Sequence, residues 1–193
     1  MEHHSNLVPW QWMRDGKGIV LKVVGIEEDG SLNLEQLGQA ITERTKLVAC
    51  AHGSNVLGVI NPVREIGQMG HQAEALLLVE AAQSVPHMAV DVGEMGCDFL
   101  AFSGHETLAP MGIGVLYGGR ELLAEMSPFL YGGEVISDVT LKGVTWKQLP
   151  WKFEAGTANV CGGVALGGGG ELQSGQRGGS PGLRSRRIGA CAI

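Results

Sequence analysis

Short apolar runs alternate along most of this chain with segments of helical spacing. The runs LVACA at 47–51 and LLLV at 76–79 are continuous apolar stretches, which is typical of strands covered on both faces. The predicted strands are residues 18–26, 47–51, 76–79, 98–102 and 113–117, and the predicted helices are residues 7–14, 34–41, a segment beginning at Pro62, and 120–126. This alternation predicts βαβ units, and therefore an α/β fold with a mostly parallel sheet flanked by helices.

Proline marks the predicted start of two of these helices. Pro9 suits the first turn of the helix at 7–14, because the N–H that proline lacks would have no partner there. Pro62 suits the first position of the helix that begins there, and the side chain of Asn61 is expected to cap that helix.

Polar residues directly follow three of the predicted strands. They are His52, Ser54 and Asn55, then Glu80 and Gln83, then Ser103 and His105. In a parallel sheet such residues deserve first inspection, because ligands bind at the carboxyl ends of the strands.

Two interpretations stay open for the stretch Ser103–Glu106, for Glu80 and for His3. The stretch Ser103–Glu106 can gather a hydroxyl, an imidazole and backbone N–H groups around an anion such as phosphate, or it can simply stabilise its loop. Glu80 suits a protonated heterocyclic nitrogen or acid–base catalysis, or else it is a solvated loop carboxylate. His3 can stack on a planar ligand, or it forms a solvated surface pair with His4.

Glycine is concentrated at one end of the sequence. It makes up 31 of the 193 residues, about twice the usual ~7%, and 11 of the 31 lie within 162–193. Apolar periodicity stops there, so we expect one domain over residues 1–161 and a Gly/Arg-rich tail over 162–193 that is disordered or non-native. An alternative is that the four arginines of the tail bind RNA or a membrane surface, but no aromatic residues accompany them.

The charge of the chain disfavours nucleic acid as a partner. The formal net charge is −6, and because the segment 162–193 carries +3, the rest of the chain carries −9. No run of 18 apolar residues occurs and the first six residues are mostly polar, so the sequence predicts neither a membrane span nor a secretion signal.

The cysteines and histidines do not have the spacing of a metal site. The four cysteines lack a CxxC pair, which favours a reducing cytoplasm over a disulfide scaffold. Cys50 and Cys97 lie in or beside predicted strands and are expected to pack in the core. No histidine pair has helical i, i+4 spacing, so no metal is expected.

Five segments resemble, in order and spacing, the large domain of cysteine desulfurases. They are EHHSNLVPWQ (2–11), HGSNVLGVINPV (52–63), VEAAQSVPHMAVDV (79–92), CDFLAFSGHETLAPMGIGVLYG (97–118) and KFEAGTANV (152–160). The sequence is most similar to the branch that includes selenocysteine lyase-like enzymes and the desulfurase of iron–sulfur cluster assembly. This branch belongs to the class V aminotransferases, so the resemblance implies a fold-type I large domain and the cofactor pyridoxal 5'-phosphate (PLP).

The resemblance also implies cofactor-binding roles for residues in the first half of the chain. His3 would stack on the pyridine ring, and Asn55 would lie beside the cofactor or substrate. Glu80 falls where the family has an aspartate paired with the pyridine nitrogen, so the acid is kept but is longer by one methylene. Gln83 matches the glutamine that bonds the phenolic oxygen of PLP.

The second half carries the implied phosphate-binding residues and one departure from the family. Ser103 and His105 match the phosphate-binding pair, and Thr157 matches a threonine that reaches the phosphate of a partner subunit, which implies a homodimer. In the family, Ser-Gly-His is followed by the lysine that attaches PLP and moves protons at the substrate. Glu106 occupies that catalytic position here, and a carboxylate cannot form an imine.

The implied reaction is PLP-dependent removal of sulfur from L-cysteine, or of selenium from selenocysteine. It leaves alanine and an enzyme persulfide, with sulfur-acceptor proteins as further partners. By the family pattern the chain also lacks an upstream phosphate-binding loop and the small C-terminal domain, so together with Glu106 it is expected to be inactive as written. Two alternatives are a non-catalytic binding or dimerisation module that keeps the fold, and a lysine-less enzyme with Glu106 as base.

Overall fold

The computed structural model of the protein describes residues 1–176 and 191–192. The chain divides into two units, Met1–Asp98 and Phe99–Ile193, which we call the first and the second unit. None of the helices over the described residues combines the length and the apolar character that crossing a bilayer requires.

The first unit contains the βαβ arrangement that the sequence predicts. Its elements are α1 (Val8–Lys17), α2 (Leu34–Ala40), β1 (Leu47–Ala51), α3 (Val63–His71), β2 (Leu76–Glu80), α4 (Ser84–His87) and α5 (Val92–Met95), preceded by a 3-10 turn at His4–Asn6. Strands β1 and β2 are parallel, and their last residues, Ala51 and Glu80, lie opposite each other. The residues that follow the two strands therefore emerge at one edge of the sheet.

The helix α3 connects these strands and packs against both of them. Its Ile66 is completely buried, as are Leu77 and Val79 of β2. Burial of each such side chain is worth about 1.5–3 kcal/mol. At the far end of the connection, the carboxylate of Asp98 accepts hydrogen bonds from the Leu77 N–H at 2.7 Å and from His71 Nε2 at 2.8 Å.

The start of α3 corrects the predicted cap. Pro62 occupies the capping position itself, and no side chain caps the helix. The side chain of Asn61 instead donates from Nδ2 to the carbonyl of Ala51 at 2.7 Å. Asn61 is only 2% exposed, and the end of β1 offers it a buried carbonyl that would otherwise lack this partner. This long-range bond takes precedence over the local capping rule.

The prediction of a strand at residues 18–26 is wrong. Gly18 ends α1 in the left-handed conformation, and of the segment only Ile26 makes a bridge, to Leu32. Val20 and Val23 are 77% and 71% exposed. Their β-branched side chains favour extended backbone, but within the described residues no neighbouring strand completes the pairing.

The second unit has antiparallel strand pairs where the sequence predicted a mostly parallel arrangement. Its elements are β3 (Phe99–Ser103), β4 (Gly114–Gly118), α6 (Arg120–Glu125), β5 (Ile136–Thr140), β6 (Gly143–Trp146), α7 (Val160–Gln176) and β7 (Cys191–Ala192), with 3-10 turns at Gly104–Thr107 and Trp151–Phe153. Strand β4 pairs with β3 and with β7, and β5 pairs with β6, all antiparallel. The connection between β3 and β4 is a short loop rather than a crossover helix, so the chain reverses direction.

The helix α7 differs from the tail predicted for this part of the chain. The boundary expected after residue 161 falls inside α7, which continues to Gln176. Seven of its 17 residues are glycine, each costing roughly 1 kcal/mol relative to alanine in a helix. Local propensity therefore does not account for this helix, and tertiary contacts must stabilise it. The remaining predicted tail residues, 177–190 and Ile193, lie outside the described residues.

Candidate functional site

The carboxyl edge of the β1–β2 pair is held together by backbone hydrogen bonds. The N–H of His52 donates to the carbonyl of Glu80 at 2.8 Å, which extends the parallel ladder past both strands. The N–H of Asn61 returns to the His52 carbonyl, also at 2.8 Å. His52, Glu80 and the loop between residues 53 and 60 are thereby fixed at this edge, where α/β sheets bind ligands.

His52 is one of the buried polar residues at this edge. It is 8% exposed, and its Nδ1 has no hydrogen-bond partner among the described residues. Burial lowers the pKa of His52, so the ring is uncharged at neutral pH. The sequence indicated the position of His52 after a strand but gave it no role. An unpartnered buried imidazole nitrogen is unusual in a folded protein.

Asn55 lies in the tight loop that follows His52. The hydroxyl of Ser54 organises this loop, since it accepts from the Leu57 N–H at 3.2 Å and donates to the carbonyl of Met1 at 2.8 Å. Asn55 itself is exposed at the outer side of the loop. Its amide is therefore free of the packing that encloses His52, and it can contact a ligand only from the solvent side.

Glu80 is the last residue of β2 and Gln83 lies three residues beyond it, so both lie at the strand end where the sequence predicts polar residues. One oxygen of the Glu80 carboxylate accepts from the N–H of Ala82 at 2.8 Å, which holds the group near the strand end. Gln83 precedes α4, and its carbonyl bonds Nδ1 of His87 at 2.6 Å. Both residues are half-buried, so their side chains combine a fixed backbone with access to a ligand.

His3 caps the 3-10 turn at His4–Asn6 near the start of the chain. It is exposed, and its Nδ1 contacts the Ser5 hydroxyl at 2.8 Å and accepts from the Ser5 N–H at 3.2 Å. The ring of His4 lies 5.9 Å away, tilted by 33°. The stacking role of His3 therefore stays a prediction.

Glu2 fixes the segment that carries His3, and sequence reasoning missed it. Its two carboxylate oxygens accept from the N–H of Ala51 at 2.9 and 3.0 Å, and one of them accepts from Asn6 Nδ2 at 2.7 Å. Ala51 is 1% exposed, so its N–H has no access to water. A carboxylate beside the motif His-His-Ser-Asn was the available signal, but its partner lies 49 residues away in the sequence.

A cleft of about 660 Å³ opens beside α3 in the first unit. His52 and Asn61 line one part of it, and Arg64 and Asp91 line another. Asn55, Glu80 and Gln83 do not line it, so the cleft lies apart from the residues that the resemblance assigns to the cofactor. The unpartnered atoms of His52 and Asn61 are themselves inaccessible to solvent, and the cleft therefore does not reach them.

In the second unit, the candidate residues lie on the turn that follows β3. Ser103 ends the strand, and Gly104–Thr107 forms one 3-10 turn. The N–H of Gly104 donates to the carbonyl of Ile113 at 2.8 Å. A Cβ on Gly104 would lie 2.7 Å from Ile113 Cγ2 and 2.8 Å from Ile113 O. Only glycine fits here, so close backbone packing accounts for the glycine between Ser103 and His105.

His105 and Glu106 project outward from this turn. His105 Nε2 and Glu106 Oε1 lie 3.6 Å apart, and the two side chains are 52% and 37% exposed. Solvent screens such a pair, which is worth at most about 1 kcal/mol. Both side chains are consequently free to contact an incoming ligand.

Thr157 follows a backbone turn that glycine makes possible. Gly156 has a φ of 79°, and its N–H donates to the carbonyl of Gly133 at 3.0 Å. Thr157 itself is exposed. An exposed hydroxyl at a fixed turn is compatible with a contact to a second copy of the chain.

The buried cysteines are confirmed as core residues. Burial raises the pKa of Cys50 to about 12 and that of Cys97 to about 11, so both remain thiols at neutral pH. Cys161 is exposed. Across residues 1–176, no three His, Cys, Asp or Glu side chains gather in the way a metal ion needs.

The sequence model of the family described as "Aminotransferase class-V" matches residues 1–175. A probable cysteine desulfurase of Halalkalibacterium halodurans is 51% identical over 167 residues, which cover 86% of this chain and 41% of that protein. The crystal structure of the cysteine desulfurase CsdA from Escherichia coli superimposes with a TM-score of 0.87 at 38% identity, covering 90% of this chain and 43% of the other.

A second solved structure has a similar fold. The apo cysteine desulfurase of Thermococcus onnurineus NA1 has a TM-score of 0.85 at 42% identity, covering 92% of this chain and 44% of the other. These likenesses confirm the predicted fold class, a fold-type I large domain. The chain spans about two-fifths of the curated relatives it matches.

Proposed function

The chain belongs to the class-V aminotransferase family, and from that premise we propose that it is the large-domain portion of a PLP-dependent cysteine desulfurase. The observation that carries the proposal is the position of Glu80 and Gln83 at the carboxyl end of β2, where an α/β sheet presents polar groups to a ligand. The substrate would be L-cysteine or selenocysteine. Because the chain spans only part of its relatives, this activity is proposed for the whole protein.

The residues of the first unit fit the polar edge of a PLP ring. The Glu80 carboxylate offers the negative charge that a protonated pyridine nitrogen requires, and Gln83 offers an amide to the phenolic oxygen. We also assign His3 and Asn55 to this site, in the roles that the resemblance gives them.

The residues of the second unit fit a phosphate group. Ser103 supplies a hydroxyl, His105 an imidazole, and the turn Gly104–Thr107 supplies backbone N–H groups. When bound, PLP withdraws electrons from the substrate and so makes bonds at its α-carbon easier to break. The task of this chain's own residues is to hold the ring and the phosphate in fixed positions.

Glu106 limits what the chain can do with the cofactor. A carboxylate cannot attach PLP covalently, and its charge repels a phosphate about 4–5 Å away by about 3–4 kcal/mol at an effective dielectric of 20. The 37% exposure of the side chain lowers this value through solvent screening. We therefore propose weak, non-covalent PLP binding and little or no turnover of cysteine.

A second candidate function follows from the same residue. Without the attaching lysine, the chain can act as a non-catalytic PLP-binding or dimer-forming module. Glu106 favours this reading because it is half-exposed and its only ion-pair neighbour within the described residues is His105. In either case we propose a homodimer in which Thr157 approaches the phosphate of the partner subunit, with sulfur-acceptor proteins as partners of the catalytic form.

Covalent trapping of PLP tests the proposal. The purified chain is incubated with PLP, reduced with borohydride and digested for mass spectrometry. We expect no pyridoxyl adduct at a specific lysine in the natural sequence and an adduct at position 106 in Glu106→Lys, with Glu106→Gln as the matched control that removes the charge alone. A folded Glu106→Lys variant without the adduct would refute the PLP site. A specific lysine adduct in the natural sequence would refute the role given to Glu106.

A further inference from the structure

The helix α7 approaches the turn Gly104–Thr107 more closely than any side chain would permit. Gly169 is buried, and a Cβ placed on it would lie 2.5 Å from the carbonyl oxygen of Thr107 and 3.4 Å from the carbonyl carbon of Leu108. Both are backbone atoms, which cannot rotate away as the end of a side chain can. The observed contact therefore requires glycine at this position of α7, because glycine carries a hydrogen atom in place of a side chain.

The turn cannot easily move away from α7, because its other side is also held. The carbonyl of Gly104 accepts from the Thr107 hydroxyl at 2.9 Å and from the Ala109 N–H at 3.1 Å. The N–H of Gly104 is bonded to Ile113 at 2.8 Å, and Thr107 is only 3% exposed. The turn that carries His105 and Glu106 is thus fixed between the segment before β4 and α7.

The other glycines of α7 show that the contact belongs to one residue rather than to glycine content in general. A Cβ on Gly163, Gly167 or Gly168 would meet no described heavy atom within 4 Å, and one on Gly162 would meet only the side chain of its neighbour Asn159. Among the α7 glycines from 162 to 170, only Gly169 would place a Cβ against the backbone of the turn.

We propose that Gly169 is a positioning residue for the phosphate-binding turn, acting through the backbone of Thr107 on the placement of His105 and Glu106. This inference rests on the proposed function, since it takes the turn to be the phosphate site. It gives a role to the segment that composition alone describes as a glycine-rich tail. A methyl group at position 169 must displace either the turn, which moves the imidazole of His105 relative to Ser103, or the helix, which removes the backbone contact that holds the turn on that side.

Two alanine variants of the full chain test the inference. Gly169→Ala introduces the clash, and Gly168→Ala adds the same methyl group one residue away, in open space. The first readout is the ¹H–¹⁵N signal of the His105 ring, and the second is the affinity for PLP measured by absorbance titration. We expect Gly169→Ala to shift the His105 signal and to weaken PLP binding by about tenfold, while Gly168→Ala changes neither.

The outcomes separate this inference from the proposed function. If the natural chain binds no PLP, the proposed function fails, but the His105 signal still reports the position of the turn. If Gly169→Ala and Gly168→Ala give the same His105 signal, the positioning role of Gly169 is refuted.

Amide exchange in the natural chain covers the case in which Gly169→Ala does not fold. If α7 positions the turn, the hydrogen-bonded amides of Gly104, Leu108 and Ala109 should exchange together with those of α7 as denaturant is raised. Amides of the turn that stay protected after α7 has opened would refute the inference.

Discussion

The two groups of candidate residues are held in place by different means. At the end of β1 in the first unit, side-chain hydrogen bonds and burial fix the site: Glu2 bonds the N–H of Ala51, Asn61 bonds its carbonyl, and His52 is enclosed. After β3 in the second unit, the backbone is fixed by glycines, and the side chains of His105 and Glu106 remain half-exposed. Substitutions at the first site should therefore act through lost hydrogen bonds and charge, and those at the second through steric clashes.

The largest effect is expected at the turn of the second unit. Gly104→Ala places a methyl group within 3 Å of two Ile113 atoms, one of them a backbone oxygen, and should lower the free energy of unfolding by about 3 kcal/mol. Urea denaturation checks this value. Gly163→Ala is the matched control, because its methyl group meets open space, and it should be neutral or stabilising by up to about 1 kcal/mol. Equal stability of the two variants would contradict the account of the turn.

In the first unit, the corresponding test removes a hydrogen-bond acceptor. Glu2→Ala leaves the buried N–H of Ala51 without its carboxylate partner, and should lower the free energy of unfolding by about 2 kcal/mol. Glu28→Ala removes an exposed carboxylate and should change it by less than about 0.5 kcal/mol. If the two variants are equally stable, Glu2 does not fix the first site.

The pH dependence of stability should follow His52. Burial lowers the pKa of His52 in the folded state, so the unfolded chain takes up a proton first as pH falls below about 6.5. The contribution of His52 to the free energy of unfolding is therefore complete above that pH. Below it, the free energy of unfolding falls by at most about 1.4 kcal/mol per pH unit. Urea midpoints between pH 8 and pH 5, compared for the natural chain and His52→Gln, measure the contribution.

The exposed His4 supplies the control for that series. His4→Gln removes an imidazole that is open to solvent and should leave the pH dependence unchanged. If His52→Gln retains the full decline of stability at low pH, the enclosure of His52 is not its cause.

The sequence predicted those parts of the fold in which local pattern and packing agree. The apolar runs of β1 and β2 and the helical spacing of α2 correspond to observed elements, and every residue of the two strands is buried or half-buried. Residues 18–26 have the composition of a strand but lack a pairing partner within the described residues. The helix α7 has the composition of a tail but is held by the approach of Gly169 to the turn. In both places a tertiary contact decides the outcome.

The candidate site was predictable to a similar extent. The polar residues after β2 and β3 could be found because a strand end is a local feature. Glu2 and the enclosure of His52 could not, since they depend on partners far away in the sequence or on burial. Asn61 illustrates the limit, because the local rule predicts a helix cap and the buried carbonyl of Ala51 competes for the same amide.

The smallest effect on stability is expected when the same kind of substitution is made once in each unit. Leu108 and Glu74 are exposed non-glycine residues with left-handed backbone, at φ of 62° and 58°. Asparagine adopts this conformation more readily, so Leu108→Asn and Glu74→Asn should each stabilise the chain by about 0.5–1 kcal/mol. Leu108 ends the turn that carries His105, whereas Glu74 lies in the loop between α3 and β2. Only Leu108→Asn should therefore slow amide exchange at Ala109, and equal slowing in both variants would mean that the turn merely follows global stability.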